Sequence, residues 1–398
     1  MTLDIPREYC LLGLRFDRLV EGFVDAYFGD PALKQQVDRE ERPDPAELAR
    51  GATLLLAELP SSGLDDARTA YLEAQLAALA VSGRKLAGEE IGFIDEVEAY
   101  FQVRPELGDT STYADAHAVL DAALPGDGGL AERYRAYRTA DELPAARLTD
   151  AVEAFSSALR DRVRVDFGLP EQEVVRYEIV GDKPWAGFNY YKGSFTSVVA
   201  INSDLPMRCA DLPGLIAHES YPGHHTEHCR KEQLLVDSAQ HAEQTIFLVN
   251  TPECLMAEGL ADLGLRAAIG PGWGPWAQEL YADLGVRFDG ERSEAIGKAL
   301  APLSGVRQDV VIMLHEHDAT EDEAVAYLQR WSLMPEDRAR KSLAFYRDPL
   351  WRAYTSTYVE GYRLLRAWLD AGGDFKRLLD EPLTPGRIAA EIAAATAA

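Results

Sequence analysis

The chain has 398 residues, 66 acidic and 40 basic, and a formal net charge of −26. That surplus argues against nucleic acid and anionic membrane as partners, because phosphate binding needs a basic surface, and it points to a solvated acidic exterior. No run of about 18 apolar residues is present, which excludes a transmembrane helix, and the opening MTLDIPREYC lacks the basic-then-apolar order of a signal peptide, so a cytoplasmic location is expected.

Residues 1–165 read as a helical region. EYCLLGLRFDRLVEGFVDAYF, PAELARGATLLLAEL and DARTAYLEAQLAALAVSGRKLAG all repeat apolar residues at spacings of three and four. Cys10, Cys209, Cys229 and Cys254 are scattered without C-x-x-C spacing and read as reduced thiols. Beyond Leu169 the composition shifts to β-branched and aromatic residues. VVRYEIV (174–180), GFNYYKG (187–193) and FTSVVAINSD (195–204) predict a short sheet of two or three strands. DLPGLIAHES then opens a helix, with Asp211 as its cap and Pro213 in its first turn. Helices return to the C-terminus, broken at GPGWGPW and LMPED; TEDEAVAYLQRW opens on a capping box from Thr320 to Glu323. Residues 166–398 thus carry a sheet and the C-terminal helices, and with 1–165 are expected to form one compact, two-walled, mainly α unit.

The chemistry is concentrated in IAHESYPGHHTEHC (216–229), which holds His218, His224, His225 and His228. In the zinc-protease pattern H-E-x-x-H, two histidines four apart share a helix face and one metal, and the Glu serves as general base. His218 and Glu219 begin such a pattern, but Pro222 stands where the second histidine belongs. On an unbroken helix His225 would lie about 10 Å along the axis from His218, too far for a shared ion. Pro222 and Gly223 change this, because proline removes a helical hydrogen bond and invites a bulge or break. With two residues looped out, His224 takes the second ligand position. A further ligand should come from another helix. Glu258 in TPECLMAEGLADLGL lies among Leu255, Met256, Leu260 and Leu263, where a carboxylate needs a partner. Glu253 follows the Thr-Pro helix start, where an acid favours the dipole, and reads as structural. The competing view is a helix surface that happens to be rich in histidine; His228 and His241 belong to that view.

The run His218-Glu219-Ser220-Tyr221-Pro222-Gly223-His224-His225 resembles the H-E-x-x-P-G-H-H signature of the bacterial "domain of unknown function 885" family. That family is distantly similar to helical zinc peptidases such as carboxypeptidase Taq and the thimet-type oligopeptidases. Aligning their H-E-x-G-H with PGHH implies a two-residue insertion and favours His224 over His225. Glu258-Gly259-Leu260 matches the family's E-G-W segment with Leu in place of the aromatic. Asp309, His315 and TEDEA match a later segment. RDPLWRAYTSTYVEG keeps Pro349, Tyr358 and Gly361 but has Leu350-Trp351 where Gly-Gln is usual. The resemblance spans about residues 174–363.

It implies a large zincin-like helical protein, mainly α, with a small β-sheet beside the active-site cleft. It also implies a Zn2+ cofactor held by His218, His224 and Glu258. The expected reaction is hydrolysis of a peptide or small amide, with Glu219 deprotonating a metal-bound water and a nearby donor meeting the oxyanion. Candidate donors are His225, His315, Tyr354 and Tyr358. The strand with Asn189, Tyr190 and Tyr191 offers an edge to an extended substrate. A serine hydrolase is disfavoured because no G-x-S-x-G stands at a strand–helix junction. The rival of another class is a non-catalytic helical protein whose metal site is structural or vestigial.

Overall fold

The computed structural model describes residues 3–183, 185–204 and 206–397. The protein is mainly α-helical with two small sheets. No described helix is long and apolar enough to cross a membrane.

The first sheet corrects the helical reading of the N-terminal stretch. The opening helix runs Ile5–Asp17 and stops; β1 (Val24–Tyr27) follows. β1 pairs antiparallel with β5 (Ile246–Leu248), setting Val24 against Leu248 and Ala26 against Phe247, so Asp25 is the extra residue of a bulge. Local periodicity continued as helix through this stretch, but a partner more than 200 residues away in sequence decided the matter. The second sheet agrees with the expected strands: β2 (Val174–Val180), β3 (Gly187–Tyr191) and β4 (Thr196–Asn202), in the order β2-β4-β3. β4 is central, parallel to β2 and antiparallel to β3. Its Val199 and Ile201 are buried against the Leu148–Asp166 helix and Ile216, and Ala200 is buried on the opposite face.

The Pro252–Ala268 helix lies at the centre of the molecule. Cys254, Leu255, Ala257, Leu260, Ala261 and Leu263 are all buried, and an all-round apolar helix of this kind belongs inside. It touches the Leu212–Glu219 helix on one side and a π-helical turn, Thr357–Gly361, on another. The second approach is close because two glycines meet: a Cβ on Gly259 would lie 2.5 Å from the Gly361 carbonyl carbon. Thr251 precedes Pro252 at this helix's start, yet its hydroxyl bonds the Leu248 carbonyl and caps no amide. Asp211 likewise makes no cap bond, because its carboxylate is held by Arg208. The Thr320–Glu323 capping box forms as expected.

Candidate metal centre

The histidine stretch forms two helices. Leu212–Glu219 ends, residues 220–223 cross over, and His224–Lys231 begins. The crossing passes so near the first helix that a Cβ on Gly223 would lie 1.8 Å from the His218 carbonyl oxygen. Gly223 N donates to the Ala217 carbonyl at 2.8 Å, and the Thr226 hydroxyl to the Ser220 carbonyl at 2.8 Å. The Tyr221–Pro222 peptide is cis. The break folds the chain back and sets His224 beside His218.

His218 Nε2 and His224 Nε2 lie 3.2 Å apart. The Glu258 carboxylate faces both, with Oε2 at 3.4 Å from His218 Nε2 and Oε1 at 3.7 Å from His224 Nε2. One ligand atom from each of the three falls within 4.8 Å of the others, a grouping able to hold a metal ion. Donors bound at 2.0–2.2 Å in a tetrahedral array stand about 3.3–3.6 Å apart, so the residues fit such an ion with small adjustments. Glu258 is 5% exposed, and its Oε2 has no hydrogen-bond partner. A buried, unpartnered carboxylate oxygen is costly unless something positive sits against it.

Neighbours orient these groups. His218 Nδ1 meets Asp262 Oδ1 at 2.9 Å, and the Tyr354 hydroxyl donates to Glu258 Oε1 at 2.5 Å. Burial opposes a charge on His218, but the carboxylates of Asp262 and Glu258 outweigh it and hold its pKa well above 6.5. Burial pushes His224 down to about 4. Glu219 is 5% exposed, and burial, with Glu258, Asp25 and Asp262 adding to it against His218, pushes its carboxyl up to about 7. Its Oε1 occupies space that a side chain at Gly187 would fill; an added Cβ there would be 3.1 Å away.

The other expected site residues divide. Tyr358 is half-buried, its ring centroid 5.5 Å from that of Tyr354. Burial and the carboxylates of Glu258, Asp262 and Glu219 raise its hydroxyl pKa. His225 does not face the cluster. It is fully buried, with Nδ1 2.8 Å from Ser197 Oγ and Nε2 3.1 Å from Glu173 Oε2. One residue along a helix turns a side chain by about 100°, which separates it from His224. His315 is also spent elsewhere: Nε2 meets the Tyr346 carbonyl at 2.9 Å, and its ring stacks on Phe93. In β3, Asn189 and Tyr191 point inward and Tyr190 outward, as strand alternation requires. Asn189 Nδ2 donates to the Glu219 carbonyl at 2.7 Å, and Tyr191 bonds Glu232 and stacks on His228. Only Tyr190 of that trio keeps a partly open side chain. Glu253 is structural, bonded by Tyr71 and paired with Lys231. His228 stacks on Tyr191 and does not join the grouping.

Sequence reasoning missed Asp262 and Asp25. Asp262 follows Glu258 by four, the spacing that puts two side chains on one helix face. Asp25 carries no local signal; it is the extra residue of the β1 bulge, and burial together with the charge of Glu258 lifts its carboxyl to about 7.

No protein-family model and no curated protein matches the chain. In fold it is similar to a "putative lipoprotein" from Colwellia psychrerythraea, with a TM-score of 0.55 and 15% identity over 88% of this chain and 67% of that one. A "putative lipoprotein of unknown function" from Shewanella oneidensis aligns with a TM-score of 0.50 and 12% identity over 91% of this chain and 75% of its own. An M32 carboxypeptidase from Deinococcus radiodurans R1 aligns at 13% identity over 95% of this chain and 88% of its own, with a TM-score of 0.39.

Proposed function

We propose that the protein is a zinc-dependent hydrolase of peptide or amide bonds. The observation that carries this reading is the convergence of His218, His224 and Glu258 around the unpartnered Glu258 Oε2. Three protein ligands also favour catalysis over a structural site, since structural zinc takes four and leaves no open position. Among the described residues no other His, Cys, Asp or Glu joins the group.

A bound zinc ion supplies Lewis acidity and lowers the pKa of a coordinated water. The chain's own residues do the rest. Glu219, next in sequence to His218, takes the proton from the attacking water and passes it to the leaving amine. Asn189 fixes the end of its helix by binding the Glu219 carbonyl. Asp262 holds the His218 ring by Nδ1 and leaves Nε2 turned inward. Tyr354 is committed to Glu258, so Tyr358 is the tyrosine left to donate to a developing oxyanion. Tyr190, partly open on β3, is the member of that strand left for contact with substrate.

Metal analysis of the purified chain, paired with a peptide-library cleavage assay, tests the reading. About one zinc per chain with chelator-sensitive cleavage is expected. Failure to bind zinc would overturn the metal site; zinc bound tightly without cleavage of any peptide or amide would leave the non-catalytic alternative.

A further inference from the structure

β2 forms an edge of its sheet. β4 takes one side of it, and among the described residues no strand takes the other. Proteins usually blunt such edges with proline, a bulge, or a covering helix or loop, because an open row of backbone donors and acceptors recruits another strand. β2 is seven residues long and has none of the first two. Val174 and Ile179 on it are 40% and 42% exposed. Beside it runs a cavity of about 420 Å³, lined by Val152, Ser156 and Arg160 of the Leu148–Asp166 helix and by Val175, Tyr177 and Ile179 of β2.

The strand reads Val-Val-Arg-Tyr-Glu-Ile-Val: about Tyr177 its aliphatic positions mirror one another and Arg176 mirrors the oppositely charged Glu178. Antiparallel pairing with itself, on a twofold axis through Tyr177, sets Val174 opposite Val180 and Val175 opposite Ile179. It also sets Arg176 opposite Glu178, twice. Both are exposed, and neither has an ion-pair partner among the described residues. Opposite charges directly across an antiparallel pair are stabilising, and like charges there are destabilising. Sliding the pairing by two residues in either direction would set Arg176 or Glu178 against its own copy, so the charges also specify the register.

We propose that two copies of this chain associate through their β2 edges, joining two three-stranded sheets into one of six strands. The occupant of the edge is a second copy because the charge pattern complements itself. Backbone hydrogen bonds supply the pairing, and strand alternation turns the incoming Val175, Tyr177 and Ile179 toward the face that carries the cavity. The interface is isologous and closes as a dimer, leaving no free β2 edge.

Sedimentation equilibrium on the full chain and three variants tests this. The wild type should be a dimer. Arg176→Glu or Glu178→Arg places like charges at both symmetry-related positions and should raise the dissociation constant on the order of tenfold to a hundredfold. The double variant, Arg176→Glu with Glu178→Arg, exchanges the charges and should restore the dimer. Circular dichroism of each single variant should match the wild type, since both side chains are exposed. A monomeric wild type overturns the proposal, as does a dimer insensitive to the single changes or a double variant that stays dissociated.

Discussion

Glu258 is the residue on which the site turns. It sits on a helix otherwise lined by buried Cys254, Leu255, Ala257, Leu260 and Ala261, where an ionised carboxylate is tolerated only against compensating charge or hydrogen bonds. Tyr354 satisfies Oε1, and Oε2 is left for a ligand. Asp262 plays the corresponding part for His218. Replacing it, Asp262→Asn, should weaken zinc affinity about 10–100-fold while the fold is kept, as loss of a carboxylate behind a ligating histidine does; competition with a zinc chelator measures it, and unchanged affinity would remove Asp262 from the site. Glu219→Gln should retain zinc and fold but lose at least about 10²-fold in turnover. Unchanged turnover in that variant would mean another group takes the proton. Pattern reading reached His218, Glu219, His224 and Glu258, because their types and spacing carry their chemistry. It set His224 above His225 as ligand but kept His225 among the oxyanion donors, since the direction of a side chain past a helix break depends on how the chain crosses at residues 220–223.

Two close approaches set the elements around the site. At Gly223 the chain recrosses the end of the His218 helix, and at Gly259 the Glu258 helix meets the Thr357–Gly361 turn backbone to backbone. The second contact brings Tyr354 and Tyr358 to the cluster. Gly259→Ala would force Cβ against the Gly361 carbonyl, so it should lower stability by about 1–3 kcal/mol, the cost of overpacking an interior contact. Denaturant unfolding reads this loss, and a wild-type midpoint in the variant would show that the turn yields freely. The strands 174–180, 187–191 and 196–202 were legible from β-branched and aromatic runs bounded by turn residues. β1 was not, because its apolar spacing also suits a helix and its partner β5 lies far along the chain.

Across the whole molecule, the central helix gathers contributions from distant segments. Its neighbours include Tyr71 and Lys231 at Glu253, His218 and Tyr354 at Glu258, and the C-terminal Trp368 cluster at Met256 and Leu260. The C-terminal Pro385–Ala397 helix is clasped by Glu391, which accepts from Arg377, Trp368 Nε1 and Arg387. Arg377 is the main cause that lowers the Glu391 pKa to about 2, from an ordinary 4.5. A carboxylate with a depressed folded pKa contributes stability that is complete above its unfolded pKa and is lost as pH falls through the folded value. The difference in melting temperature between wild type and Glu391→Gln should therefore be full above about pH 5 and shrink toward nothing near pH 2. A difference constant across that range would show that the ion pairs do not stabilise the helix.

The sequence by itself determined the mainly α character, a short sheet of two or three strands ahead of the histidine stretch, and a His-His-Glu candidate set split between two segments that the fold brings together. Those properties rest on local periodicity and on side-chain chemistry, which any stretch of chain displays before it folds. Tertiary structure alone decided that Asp25 stands on a bulge, that His225 turns into the core toward Glu173, and that His315 is held at Tyr346. It also decided that Asn189 and Tyr191 serve the interior while Tyr190 faces outward. Each of these depends on which distant backbone a residue meets, and that is set by the packing of the whole chain.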